Sequence, residues 1–243
     1  MTMEFWVALM RIIVVNIVLS GDNAVVIAMA ARGLPMAQQK TAILWGSGGA
    51  VVLRVLLTVI AVALLNIPFL KCVGGLLLVW IAYDLLVEDD EPEGTGHHRH
   101  GSLTSAVKTI LIADVVMSLD NTLAIAAVAK GDYLLLGLGL ALSIPLVVFG
   151  STLIMKMMER FPLIVYIGSG LIAYTAGEMI ETDALLAPYL PHLLHRLPYL
   201  LAGILTVAVV GIGWWLNRRK GRSARDVLTA DEHAAQRLED KID

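Results

Sequence analysis

Seven stretches of this chain are apolar over about 20 residues, the length needed to cross about 30 Å of hydrocarbon. They are residues 5–31, 41–65, 69–87, 106–129, 133–155, 163–182 and 198–216. A backbone in hydrocarbon must satisfy its own N–H and C=O groups, so such stretches are expected to be helices. Composition agrees. Hydrophobic residues make up 58% of the chain and charged residues 16%, against about 45–50% and about 25% in soluble domains. The expected fold class is an all-α polytopic membrane protein. The net charge of −3 gives no ground for a nucleic-acid partner. Cys72 is the single cysteine, which excludes an intramolecular disulfide and a thiolate metal cluster. The first apolar run is too long for a cleaved signal peptide and has no basic segment before it.

The apolar pattern is broken by polar residues that occur twice. Span one contains Asn16-Ile17-Val18-Leu19-Ser20-Gly21-Asp22-Asn23, and span four contains Asp114-Val115-Val116-Met117-Ser118-Leu119-Asp120-Asn121. In this register Ser20 falls on Ser118, Asp22 on Asp120, Asn23 on Asn121, Arg32 on Lys130 and Gly33 on Gly131. Spans three and six echo each other more weakly, with Gly74 on Gly168, Trp80 on Tyr174 and Asp84 on Glu178. Shared apolar composition explains apolar matches, but not Ser-x-Asp-Asn twice in register. Consecutive spans alternate in direction, so spans one and four run oppositely. The expected architecture is seven transmembrane helices arranged as a 3+3 inverted repeat plus one extra helix. A substrate site is then expected near the midplane, where the halves meet at interrupted helices. At 27 residues span one is about 40 Å long as a continuous helix, so it must tilt, protrude or break, and Ser20-Gly21 is its weak point. Leu119 at the equivalent place makes unwinding harder in span four, so the halves need not be identical.

The transmembrane domain covers residues 1–217, with repeat one at about 5–87, repeat two at about 106–182 and the seventh helix at 198–216. Residues 88–105 read as an aqueous loop, acidic at first and then flexible and His-rich at His97, His98 and His100. Residues 183–197, with Pro188, Pro191, His192 and His195, form a second loop. Residues 218–243 read as a soluble tail. In it the capping-box spacing of Thr229 and Glu232 suggests a short helix to about Asp240. Basic residues set the orientation. The side of the tail carries Arg32, Lys40, Arg99, Lys108, Lys156 and Arg160, and the other side only Lys71, Lys130 and Arg196. The expected location is the cell's inner (plasma) membrane, with the N-terminus outside and the C-terminus cytoplasmic.

A carboxylate at mid-membrane costs about 2.5–3.5 kcal/mol on insertion scales, so Asp22 and Asp120 need a partner. One partner is a divalent cation, to which Asn23 and Asn121 would add amide oxygens while Ser20 and Ser118 help to orient them. Water, Asp84 or Glu178 would complete the shell. An all-oxygen set suits Mn²⁺, Mg²⁺ or Ca²⁺ rather than Cu⁺ or Zn²⁺. Asn16, Ser20 and Asn23 share one helical face, as do Asp114, Ser118 and Asn121. Asp22 and Asp120 lie about 100° round from those faces. The competing reading is that the two aspartates neutralise Arg54 or Arg11, or bond between helices. Arg54 reads as a structural counter-charge, with gating as the alternative. Asp114 reads equally as a ligand or as a group behind one. Asp84, Glu178 and Glu181 are explained as well by solvation near the membrane ends as by a vestibule. The His-rich loop reads as solvated, with loose metal collection as the sharper alternative. Gly46, Gly49, Gly74 and Gly75 read as close-packing positions. The chain shows no nucleotide-binding loop or catalytic triad, so it is not expected to be an enzyme.

The residues at 16–28 and 113–126 make the chain resemble the TerC family of integral membrane proteins, its YjbE-like branch above all, within the wider lysine-exporter-like superfamily. The resemblance covers roughly residues 5–182. It implies a seven-span protein concerned with manganese export or with delivery of manganese to proteins outside the cytoplasm, and members have been linked to tellurium resistance. It carries an intramembrane acidic signature over to Asp22, Asn23, Asp120 and Asn121, and less surely to Asp84, Asp114 and Glu178. The expected function is a secondary transporter exporting a divalent metal, Mn²⁺ first, through an Asp/Asn site between helices one and four. The alternative is a membrane-embedded accessory protein that supports metallation of secreted enzymes or a metal/tellurite stress complex. The metal is expected as cargo, with no permanently bound cofactor. The expected partners are that ion and the lipid bilayer, and a homo-oligomer is compatible with the chain.

Overall fold

The computed structural model describes residues 6–7, 9–14, 20–64, 67–87, 102–129, 133–183, 185–186 and 199–239. Among the described residues every regular element is helical. Residues 9–14 are helical, and the chain turns at Ser20 before α1, Gly21–Arg32. Then follow α2 (Met36–Leu64), α3 (Leu70–Val87), α4 (Leu103–Ala129), α5 (Tyr133–Arg160), α6 (Leu163–Glu181) and α7 (Leu200–Glu239). Asn16 and the loops around His97, His98, His100, His192 and His195 lie outside the described residues.

Among the described residues five helices hold segments long and apolar enough to cross a membrane: Met36–Thr58, Leu70–Val87, Leu140–Arg160, Leu163–Glu181 and Leu200–Arg219. The sequence suggests seven spans. α1 has 12 residues and cannot cross alone. α4 has 27 residues, of which those from Asp120 onward have no described side chains.

The weak point expected at Ser20-Gly21 is where α1 begins, with Ser20 at φ −111° and ψ 5°. The equivalent Ser118-Leu119 lies inside the unbroken α4. Leu is a good helix former and Gly a poor one, which accounts for the difference. α5 runs through Pro145, whose freed backbone group must find another partner. The tail departs from expectation. It is not a separate short helix but the continuation of α7, 40 residues in all. Arg218 lies over the Trp214 ring at 3.9 Å and Arg219 over Trp215 at 3.7 Å, both at i, i+4. These cation–π pairs support the turn at which the helix leaves the apolar segment.

α2 packs on α4, α1 on α5 and α3 on α6, and α7 lies against α6 and α3. The close-packing glycines do what the sequence suggests. A Cβ at Gly46 would come within 2.8 Å of Ile110 Cδ1, and one at Gly49 within 2.9 Å of Leu111 Cδ2. One at Gly74 would meet Val116 at 2.9 Å, and one at Gly75 the Ala176 carbonyl oxygen at 2.6 Å. α2 and α4 are parallel, since contacts advance together along both. α3 and α6 are antiparallel: Ser169 Oγ donates to the Ala82 carbonyl at 2.8 Å, while the Cys72 N–H donates to Asp183 Oδ2 at 3.1 Å.

Two acidic residues at the end of α6 start other helices. Asp183, 3% exposed, accepts the N–H of Cys72 in the first turn of α3. The Glu181 carboxylate accepts the N–H groups of Tyr199 at 3.0 Å and Leu201 at 2.6 Å, at the start of α7. These N–H groups have no intrahelical partner, so a carboxylate there is stabilising twice over, by hydrogen bonding and through the helix dipole. Phe69 (φ 57°) and Tyr199 (φ 69°) immediately precede the two helices. A left-handed backbone is strained for a bulky residue, and the two carboxylates help hold it.

Candidate functional site

Arg54 lies on α2 and is 4% exposed. Its guanidinium uses every nitrogen on a named partner. Nε donates to Ser118 Oγ at 3.0 Å, Nη1 donates to Ser20 Oγ at 3.0 Å, and Nη2 forms a short charge-assisted bond with Asp114 Oδ1. The second Asp114 oxygen accepts from Ser118 Oγ at 3.3 Å. Asp114 and Ser118 are at i, i+4 and share one face of α4, as their spacing suggests. Arg54 pairs with Asp114 here, where the sequence offered Asp22 and Asp120 as the carboxylates it would neutralise. Ser20 and Ser118, expected to orient metal ligands, instead both bind the guanidinium.

Beside this ion pair is a cavity of ≈ 20 Å³, about the room needed for one water molecule. It lies between α1, α2, α4 and α5, bordered by Ser20, Asn23, Ser47, Arg54 and Asp114 together with Ile27, Ala50, Ile144 and Val147. Asn23 is 4% exposed, and neither Oδ1 nor Nδ2 has a hydrogen-bond partner among the described residues. Ser47 Oγ, also buried, has none either. An unsatisfied buried polar group costs about 1–3 kcal/mol. Asn23 and Ser47 both border the cavity, so a small polar guest there would lie beside these atoms. Sequence reasoning missed Ser47. The signal was available, because Ser47, Ala50 or Val51, and Arg54 follow one face of α2.

Asp22 is half-buried, in the first turn of α1, where its Oδ1 accepts the Asn23 N–H at 2.8 Å. It lies within electrostatic range of both Arg54 and Asp114. α1 and α4 are in contact, and Asp120 and Asn121 are on the α4 backbone one turn beyond Ser118. The side chains of Asp120 and Asn121 lie outside the described residues. The remaining candidates are not among the described residues lining the cavity. Asp84 is exposed near the end of α3, and Glu178 is half-buried near the end of α6. These two helices are antiparallel, so the two carboxylates are near opposite ends of the bundle. Among the described residues no three His, Cys, Asp or Glu side chains cluster as a metal site. Oxygen donors from Ser and Asn would have to complete any shell.

Known proteins give this arrangement its context. The model of a family described as "Integral membrane protein TerC family" matches residues 1–222. The "Uncharacterized membrane protein YjbE" of Bacillus subtilis is 45% identical over 208 residues, 85% of this chain and 93% of the relative. The "UPF0053 inner membrane protein YgdQ" of Escherichia coli K12 is 28% identical over 174 residues, 65% of this chain and 73% of that one. The "Uncharacterized membrane protein YceF" of B. subtilis is 27% identical over 139 residues, 54% of each chain. No solved structure gives a significant match.

Proposed function

The chain belongs to the TerC family of integral membrane proteins, and we propose that it is a secondary transporter exporting a divalent metal cation, Mn²⁺ first, through a site between α1 and α4. The observation that carries this reading is the buried Asn23 carboxamide, unpartnered on both atoms among the described residues, bordering a small cavity shared with Ser47, Arg54 and Asp114. Asp22 is adjacent in sequence, and the repeat supplies Asp120 and Asn121 from the facing helix. Carboxylates with amide and hydroxyl oxygens make a hard, all-oxygen donor set, which favours Mn²⁺, Mg²⁺ or Ca²⁺.

The helix pairing supports two inverted halves. Exchanging α1 with α4, α2 with α5 and α3 with α6 turns the α1–α5 contact into the α4–α2 contact and leaves α3–α6 in place. These are the principal contacts between the first six helices. Gly74 of α3 faces α4, through Val116. Its counterpart Gly168 of α6 faces α1, through Val25 and Met29. The interrupted α1 is the kind of element on which such repeats build a midplane site. Asp84 and Glu178, at opposite ends of the bundle, then serve as vestibule carboxylates on the two sides. The protein resides in the inner (plasma) membrane with the start of α3 outside and the tail cytoplasmic, as the basic residues require.

Reconstitution alone in liposomes tests the proposal. The wild-type chain is expected to move Mn²⁺ down an imposed gradient with no partner present, and Asp22→Ala and Asp120→Ala are each expected to abolish the flux. Wild-type flux in either variant contradicts the site. No flux from the wild type alone, with metal still bound, would make it an accessory protein that hands metal on.

A further inference from the structure

We infer that Arg54 is a tethered cation that occupies the acidic centre when no metal is bound and must leave Asp114 for the metal to enter. This rests on the metal site proposed above and adds how that site is emptied and refilled.

Asp114 is 4% exposed, and its carboxylate is neutralised by a guanidinium carried on a neighbouring helix. The same guanidinium reaches Ser20 on one repeated stretch and Ser118 on the other. These serines are equivalent in the repeat, so the arginine fork bridges the two halves at their point of correspondence. With Arg54 in place, every oxygen of Asp114 and Ser118 is engaged and the remaining cavity, ≈ 20 Å³, has room for about one water molecule. A divalent ion with a shell of oxygen ligands does not fit there, nor would a dication share a dry space with a guanidinium.

Removal of Arg54 from this position would create a different site. It would release a carboxylate and two hydroxyls, all oxygen donors, next to the Asn23 carboxamide and Ser47 hydroxyl, which have no hydrogen-bond partner among the described residues. That set is incomplete while Arg54 is present and nearly complete without it. Asp114 is then neither a permanent metal ligand nor a permanent counter-ion, but a carboxylate that exchanges one cation for the other. The exchange keeps the centre from standing empty with an uncompensated buried charge, which is costly. Arg suits the part because it stays protonated and its fork fits several oxygens at once. In this role Arg54 is a positioning residue that sets metal affinity.

The test is equilibrium binding of Mn²⁺ to the purified full-length chain, read from loss of the free-ion electron paramagnetic resonance signal. Arg54→Lys keeps the charge and an ion pair with Asp114 but loses the fork to both serines. It is expected to bind Mn²⁺ several-fold more tightly than wild type. Arg54→Gln is expected to bind about tenfold more tightly or better, within the usual range for two coupled ligands. Because Arg54 competes for Asp114, most of that gain should vanish when Arg54→Gln is compared in the Asp114→Asn background. The double variant also removes the unpaired buried charge and guards against misfolding of the single one. Unchanged or weaker binding in Arg54→Lys, or an equal gain from Arg54→Gln in both backgrounds, overturns the exchange and leaves Arg54 as a fixed counter-charge. Asp22→Asn separates this from the site itself. It is expected to abolish binding in every background, and binding that survives it contradicts the metal site rather than the exchange alone.

Discussion

At the scale of single residues, the centre is held by a buried ion pair whose members differ in what their loss would do. Asp114→Ala removes a charge that Arg54 faces with 4% exposure. Breaking such a pair from one side costs about 3–5 kcal/mol, because the other charge is left uncompensated. Asp114→Ala is therefore expected to lower the thermal unfolding midpoint strongly in detergent, and Ser118→Ala, which removes a neutral hydroxyl that accepts from Arg54 and donates to Asp114 but leaves the ion pair itself, less. Equal shifts would contradict the pairing. The sequence made each participant visible: Arg54 as an arginine in mid-span, Asp114 and Ser118 by their spacing, Ser20 by the repeat. It did not make the partnership visible. Which carboxylate meets Arg54 depends on the relative rotation of α2 and α4, and periodicity within one span carries no information about that. The same holds for Ser47, which acquires meaning only beside Asn23.

At the scale of elements, helix contacts rest on glycines and on carboxylates at helix starts. A Cβ at Gly177 would overlap the Ala202 backbone, with its N at 2.7 Å. Backbone cannot give way as a flexible side chain can, so Gly177→Ala is expected to destabilise α6 against α7 by about 1–3 kcal/mol. Gly48, which has nothing within 4 Å of its Cβ position, is the control. Gly48→Ala should be neutral or slightly stabilising in the same unfolding measurement. Glu181→Ala removes the acceptor for two N–H groups at the start of α7 and is expected to cost about 0.5–2 kcal/mol. Helix bounds were read well where Pro or a polar loop ends an apolar run. They were read poorly at α7, where nothing in the pattern told that the helix continues past Arg219. Glu181 looked like an interfacial acid, because its N–H partners Tyr199 and Leu201 are distant in sequence, and Asp183 drew no reading for the same reason.

At the scale of the whole molecule, alternation of apolar runs carried the helical class and the order of the helices, and the family match agrees with it. Hydropathy found the two spans that bear the repeated polar stretch, but it carried no information on which helices their polar residues face. The orientation has a direct check. In a Cys72→Ser background, Ile67→Cys, exposed just before α3, is expected to react with a membrane-impermeant maleimide on intact cells. Ser102→Cys, exposed before α4, is expected to react only after permeabilisation. The reverse pattern would invert the direction assigned to transport.

The central claim is that a hard divalent cation sits where α1 and α4 meet. Anomalous diffraction at the manganese edge, from crystals grown with Mn²⁺, tests it most directly. The expected result is a single strong peak within coordination distance of Asp22, Asn23 and Asp120. A peak confined to His97, His98 and His100, with none between the two helices, would contradict it.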